Sequence, residues 1–525
     1  MLERTVPTFE AHSETQRVLR LAVTICLAIT LTGCGSIPVR TPPVETASLP
    51  SAPSGTLERY AKEISAGLGE GESAFWLLDR ADYSYEARLA LVDQAVESLD
   101  IQYFIWEKDP TSRLFSERVL KAADRGVRVR ILLDDLTLNG QDGEFSALAS
   151  HPNISVRSFN PWRSRTNIGR FGEYFLNIGR LNHRMHNKTV IADSQFAILG
   201  GRNIGDRYFG VWDDFVQNDL DIMSSGPAVA DVAASFDLYW NSDMSYALSD
   251  LAKPKAAVQA LEPTVQFLRC IYLSEQDRLQ EFPLEPDTWN SFFEQLVRTY
   301  SPGTGILGQD RPEVEEALPD QLYQPIYDML EKAQHRVLLS TAYLVPDQTF
   351  LDLLAELEAR GVEVILLTNS LASNNHMIAH MAYKRWRKRL LRIGVELYEA
   401  RDDSAFIDQY STPPIEPDFL GLHSKSIVVD DRYSFVGSPN IDPRSLIINT
   451  EIGFFVDSPE LASRLTDLIE RDISPEAAWR VYFDERGRLR WNSSAGTLKN
   501  QPALGPMQRV AAFFINLLPL VKTQA

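Results

Sequence analysis

The sequence predicts an α/β protein made of two pseudo-symmetric halves, each a mixed β-sheet flanked by helices, with a functional site at their interface. Three observations carry this. His186, Lys188 and Asp193 recur with identical spacing as His423, Lys425 and Asp430. The stretch 123–133 around Gly126 is matched by 358–367 around Gly361, at nearly the same distance ahead of each motif. In both halves helical runs alternate with apolar, β-branched runs, the pattern of a sheet covered by helices.

In chain order, Arg17 and Arg20 precede an apolar stretch over 21–32, too short to span a bilayer and the right length for a signal-peptide core. It ends in Leu31 to Cys34, which resembles the lipobox of bacterial lipoproteins, so 1–33 is read as the signal peptide and Cys34 as the lipidated residue. Residues 34–56 are rich in Pro, Ser and Thr and predict a disordered tether. The first half, 57–250, predicts a helix over 83–97, a strand over 99–106, a helix ending before Gly126, a strand over 127–133 and then the motif strand. An inter-repeat segment over 251–312 has no match to the repeat. Its Trp289, Phe292, Phe293 and Tyr300 are read as the core of an inserted subdomain in preference to an acyl-chain groove. The second half, 313–480, repeats the order: helix 321–333, strand 337–344, a helix ending before Gly361, strand 362–367 and the second motif. The tail, 481–525, carries an apolar stretch over 507–520 that suits either a membrane interface or packing on the body.

Residues i and i+2 of a strand share a face, so His186 points with Lys188 and His423 with Lys425. Asp193 and Asp430 fall on the opposite face where a turn begins and are read as structural. Seventeen residues after each His stands an Asn, Asn203 and Asn440, behind a turn of small residues. Glu451 in the second half has counterparts in Asp219 or Asp221 of the first. Each half thus offers an imidazole, an ammonium, an amide and a carboxylate. Two imidazoles near neutrality suit a phosphodiester: one attacks as the free base while the other protonates the leaving oxygen. Two Lys and two Asn hold the non-bridging oxygens, and a carboxylate behind each imidazole fixes its tautomer. This scheme calls for no metal and no cofactor.

The doubled motif resembles the signature of the phospholipase D superfamily. The blocks 182–188, 200–210 and 442–445 resemble its bacterial class-C cardiolipin synthase branch. The resemblance covers roughly 70–520 and implies two phospholipase D-like domains sharing one cleft, with His186 as nucleophile and His423 as acid. It implies a membrane-tethered phosphatidyltransferase that makes cardiolipin from phosphatidylglycerol and a second phosphatidylglycerol or phosphatidylethanolamine. The alternatives are a phospholipase D releasing phosphatidic acid and, less favoured, a phosphodiesterase or nuclease.

A net charge of −19 disfavours broad nucleic-acid affinity, which comes from Lys and Arg neutralising phosphates. The expected partners are phospholipids and, through Cys34, the membrane of a bacterial envelope on its periplasmic side, with inner or outer membrane and oligomeric state left open. A basic run over 384–389 is read as a solvated helix face with Trp386 buried, in preference to a lipid-headgroup contact. His376 and His380 have helical spacing that could seat zinc, but without a third ligand nearby they are read as part of a surface or lid helix. Cys270 has no disulfide partner.

Overall fold

The computed structural model describes residues 45–138, 140–165, 167–251, 261–313 and 322–515. The signal peptide, Cys34 and Leu517 to Pro519 of the tail lie outside the described residues.

The first half contributes strands β1 Ser73–Leu78, β2 Ser98–Tyr103, β3 Arg128–Asp134, β4 Ile154–Phe159, β5 Thr189–Ala192, β6 Phe196–Gly200, β7 Phe215–Asn218, β8 Asp221–Ser225 and β9 Ser245–Ala247. After β10, Ser301–Gln309, come β11 Arg336–Thr341, β12 Glu363–Asn369, β13 Glu396–Ala400, β14 Phe419–Leu422, β15 Lys425–Val429 and β16 Tyr433–Gly437. The last four are β17 Ile452–Asp457, β18 Ala478–Phe483, β19 Leu489–Ser493 and β20 Gly496–Leu498.

Hydrogen bonding in the first half runs β9-β4-β3-β2-β5-β6-β8-β1, parallel only from β4 to β2. In the second it runs β18-β13-β12-β11-β15-β16-β17-β10, parallel only from β13 to β11. The two orders superimpose, so β10 stands where β1 stands. β1 and β10 also pair with each other, Ser73 opposite Gly303, which joins the halves into one eighteen-stranded sheet.

This corrects the assignment of 301–309 to an inter-repeat segment: it is the second half's first strand. Its sequence hides the fact, because Gly303, Gly305 and Gly308 replace the branched residues that mark a strand. They are needed, since a Cβ at Gly305 would lie 2.5 Å from Phe75 and one at Gly308 2.4 Å from Leu322. The aromatic cluster ahead of it belongs to the first half's core and forms no separate subdomain. Phe293 stacks on Tyr60 at 5.1 Å, and Trp289 Nε1 donates to buried Asp93 at 2.7 Å.

Local signals repeat with the strands. Asp109 caps the helix Pro110–Asp124 by accepting from Ser112 N–H, and Asp347 caps Gln348–Ala359 by accepting from Phe350 N–H. Both helices stop at a left-handed glycine, Gly126 with φ 100° and Gly361 with φ 83°. The helices Ala228–Asn241 and Pro459–Asp472 fill a core shared by the halves, where Phe75 meets Phe454 edge to face at 5.6 Å.

The motif Asp residues close the hairpins β5–β6 and β15–β16. Asp193 and Ser194 have φ 51° and 52°, Asp430 and Asp431 53° and 50°, the paired left-handed conformation of a tight hairpin turn. Each carboxylate accepts three backbone N–H groups, from Val96, Glu97 and Ser98 in one half and Gln334, His335 and Arg336 in the other. Asp193 is buried and Asp430 is half-buried. Asp193→Ala is therefore expected to cost about 1–3 kcal/mol, measured as a lower urea midpoint, and Asp430→Ala less, because water reaches the freed donors.

The composition-based tether over 34–56 needs shortening. Residues 45–52 lie strapped along the helix Ala228–Asn241: Ser48 N–H donates to Asp237 at 2.7 Å, Trp240 Nε1 to Thr46 Oγ1 at 2.9 Å and Ala52 N–H to Asp193 O at 3.0 Å. Hydroxyls and backbone groups do the binding, which a Ser/Thr/Pro composition does not reveal. In the tail, the helix Pro506–Ile515 packs on the body through Ala512 against Leu371 and Met381, while Met507 stays 79% exposed.

Two further readings change. The basic run is not wholly a solvated face, since Arg387 is buried and paired with Glu399 at 2.6 Å beside buried Trp386. His380 is not on a surface or lid, because its helix lies under the C-terminal one and burial pushes its imidazole down to about 3. Among the described residues no group of three or more His, Cys, Asp or Glu could hold a metal ion.

Candidate active site

Each motif His sits just ahead of a hairpin strand, beside a chain from the opposite half. Met185 bridges Thr450 in parallel, and His186 N–H donates to Thr450 O at 2.9 Å. In the other half β14 runs parallel to β7 with Leu422 opposite Asn218, and His423 N–H donates to Asn218 O at 2.6 Å. The residue following Thr450 is Glu451, and the one following Asn218 is Asp219. The acid partners consequently cross over: His186 Nδ1 lies 2.7 Å from Glu451 Oε2, and His423 Nδ1 lies 2.5 Å from Asp219 Oδ2. With Nδ1 engaged, each Nε2 is left for chemistry at phosphorus.

Asp221 does not reach either imidazole. It is fully buried, accepts from Ser84 Oγ at 2.8 Å and from Arg88 at 2.9 Å, and takes Arg202 N–H at 3.1 Å. The catalytic reading of Asp221 is thus corrected to a structural ion pair. The alignment with Glu451 left both acids open; Asp219 lies just ahead of β8, beside the opposite motif, while Asp221 begins the strand.

Lys188 and Lys425 turn back to their own histidines, each Nζ donating to the carbonyl of His186 or His423. Both are buried. Burial pushes the Lys188 ammonium down to about 7 and that of Lys425 to about 8, despite the attraction of Glu451 and Asp219. Burial, then Lys425, takes His423 down to about 4 against the pull of Asp219. His186 lies well below the usual imidazole range, from burial and then Lys188 and Lys425. The acids differ. His423 and Lys425 hold Asp219 at about 2 against its burial, while burial raises Glu451.

Asn203 Oδ1 accepts Ile105 N–H at 3.0 Å, which leaves its amide nitrogen to donate. Asn440 is fixed through its main chain, its carbonyl taking the Tyr323 hydroxyl and its N–H donating to Ser445 Oγ at 3.2 Å. Its Oδ1 is buried without a hydrogen-bond partner.

Several neighbours escaped the sequence reading. Phe104 stands edge-on to His186 at 5.0 Å between ring centres, and Tyr208 to His423 at 5.9 Å. Burial raises Asp442, near Glu451 and Arg444, to about 6. Tyr208 and Asp442 fall inside the blocks that carry the family resemblance, a usable signal; Phe104 carries none.

Gly201 and Ser438 occupy like positions, and their difference falls on the carboxylates. Ser438 Oγ donates to Glu451, whereas a Cβ at Gly201 would lie 2.0 Å from Asp219 Oδ1. Gly201→Ala is expected to displace Asp219 and cut turnover about 10²-fold or more, with Ser438→Ala, which removes a hydrogen bond without a clash, losing less in the same assay.

Two halves whose His-Lys sets lie close enough that Lys425 and His423 act on His186 and Lys188 acts on His423 define the phospholipase D class of phosphodiester chemistry. The family model described as "Cardiolipin synthase, PLD-like domain" matches residues 89–240 and again 326–473. Cardiolipin synthase C of Escherichia coli K12 is 34% identical over 478 residues, covering 86% of this chain and 96% of that protein. A cardiolipin synthase of Oceanobacillus iheyensis is 25% identical over 409 residues, covering 77% and 69%. Among solved structures, phosphatidylserine synthase of Haemophilus influenzae Rd KW20 superimposes with a TM-score of 0.56 at 13% identity, over 88% of this chain and 98% of that one. The chain belongs to the cardiolipin synthase family of phospholipase D-like phosphatidyltransferases.

Proposed function

We propose that the protein forms cardiolipin, moving a phosphatidyl group from phosphatidylglycerol or phosphatidylethanolamine to a hydroxyl of a second phosphatidylglycerol. The single observation that carries this reading is the crossed pair of His-carboxylate contacts, which engages both Nδ1 atoms and leaves both Nε2 atoms for phosphorus in one site where His423 acts electrostatically on His186. His186 Nε2 attacks phosphorus, the bond from phosphorus to the headgroup oxygen breaks, and His423 gives that oxygen its proton. The acceptor hydroxyl then returns a proton to His423 and attacks, and the bond from phosphorus to His186 breaks. Lys188, Lys425, Asn203 and Asn440 hold the non-bridging oxygens through both steps. The role split follows from the acids: firmly ionised Asp219 favours a proton on His423 more than the burial-raised Glu451 favours one on His186, and since burial keeps both imidazoles neutral in the empty site, His423 takes up its proton with the incoming phosphodiester anion.

The lysines set a pH dependence. In the empty pocket Lys188 at about 7 and Lys425 at about 8 lose protons as pH rises through that window, and a bound phosphodiester anion favours their charged forms. Binding therefore takes up protons near neutrality and kcat/KM falls above about pH 8. Calorimetry of a short-chain phosphatidylglycerol in buffers of different ionisation enthalpy measures the uptake.

Full-length protein given isotopically distinguished phosphatidylglycerol and phosphatidylethanolamine tests the reaction by mass spectrometry. Labelled cardiolipin is expected. Phosphatidic acid alone would replace the transferase with a hydrolase, and inert lipids beside cleaved DNA would replace it with a nuclease.

A further inference from the structure

One lip of the pocket is apolar and open. The helices Asn167–Leu176 and Ile178–Asn182 lead into the first motif, and the turn of helix Arg444–Ile448 leads to Glu451. The two segments touch across the halves: Arg444 donates to Asn182 Oδ1 at 3.0 Å, and His183 Nδ1 lies 2.7 Å from Ile448 O. Their outer side leaves Leu176 56%, Ile178 52% and Ile447 71% exposed, with Tyr174 37% exposed beside them. Large aliphatic side chains grouped around a polar pocket mark a contact surface.

The N-terminal strap indicates what covers it. Residues 45–52 run along the helix Ala228–Asn241 toward its C-terminal end, where Thr46 N–H meets Asn241 Oδ1 at 3.3 Å. That end turns into β9 beside Phe159, and the neighbouring Asn160 donates from Nδ2 to Arg180 O at 2.8 Å and His183 O at 2.7 Å. The first described residues of the strap are thus joined to the lip through the connection from Asn241 to Met244, whose carbonyl accepts Asn160 N–H at 2.8 Å. Ten residues separate Cys34 from Glu45, a reach of about 40 Å at most over eleven Cα–Cα steps. A lipid on Cys34 would hold that end of the molecule against the bilayer.

We propose that this lip is a bilayer-docking surface, with Leu176, Ile178 and Ile447 seated among lipid acyl chains so that phospholipids enter the pocket without leaving the membrane. The proposal rests on the phosphatidyl-transfer reading for its purpose, while the docking itself is read separately. Seating apolar side chains in the interface strengthens binding in proportion to the area buried, and Tyr174 suits the headgroup level.

Two measurements on the full chain test it. Ile178→Ser with Ile447→Ser is expected to lower the rate on phosphatidylglycerol–phosphatidylethanolamine vesicles about tenfold, and to leave the rate on monomeric dihexanoyl phosphatidylglycerol unchanged. Ile447→Trp is expected to add fluorescence that brominated-acyl phosphatidylglycerol vesicles quench, read as the difference from the parent protein. Equal losses on both substrate forms, no loss on vesicles, or an unquenched indole at position 447 would each overturn the proposal. Quenching without turnover of any phospholipid would count against phosphatidyl transfer while still supporting the docking.

Discussion

His186→Asn is expected to lower turnover by about 10⁴-fold or more, because it removes the atom that bonds to phosphorus. His423→Asn is expected to lose a similar factor on natural lipids for a different reason: the alkoxide of glycerol or ethanolamine leaves slowly without a proton. A phosphatidyl ester of p-nitrophenol separates the two. Its leaving group needs no acid, so the His423 variant should still release a burst of p-nitrophenol and accumulate the phosphatidyl adduct, whereas the His186 variant should release none. Rapid quench and peptide mass spectrometry locate the adduct. Finding it on His423 would exchange the two roles, which the near-symmetry of the pocket makes a real test.

Asp219→Asn and Glu451→Gln are expected to lose about 10²–10⁴-fold each, the scale of an imidazole deprived of its orienting acid. The crossed contacts decide which step each variant damages. Asp219 sits 2.5 Å from His423, so its replacement should spare the p-nitrophenol burst. Glu451 sits 2.7 Å from His186, so its replacement should slow that burst. Within each crossed pair the double variant should be little worse than the single His variant, since residues acting as one unit are non-additive. If the adduct formed on His186 and yet Asp219→Asn slowed the burst while Glu451→Gln did not, each acid would serve the His of its own half and the crossed arrangement would be wrong in solution.

Relations between near neighbours in the chain were legible because they need only local geometry. The i, i+2 rule puts Lys188 and Lys425 with their histidines, and the polar residues after Asp193 and Asp430 announce the hairpin turns that the positive φ angles display. The choice between Asp219 and Asp221 was not legible, because it depends on Asn218 lying beside Leu422 of the other half. β10 was illegible because its glycines answer to Phe75 and Leu322, which lie far off in sequence. Residues 45–52 were illegible because composition reports what a segment can bury and is silent on hydroxyls that find Asp237 and Asp100.

Repetition and strand parity, which need nothing beyond the order of residues, were enough to establish a doubled α/β unit with two equivalent sets of phosphate-handling groups. Which acid serves which imidazole was open until the two halves were seen packed together. That choice depends on β14 lying beside β7 and Met185 beside Thr450, pairings between segments more than two hundred residues apart that no local pattern encodes. Asp219 and Glu451 each follow directly on the residue paired beside the opposite motif, so packing the halves together is what completes both His-acid pairs.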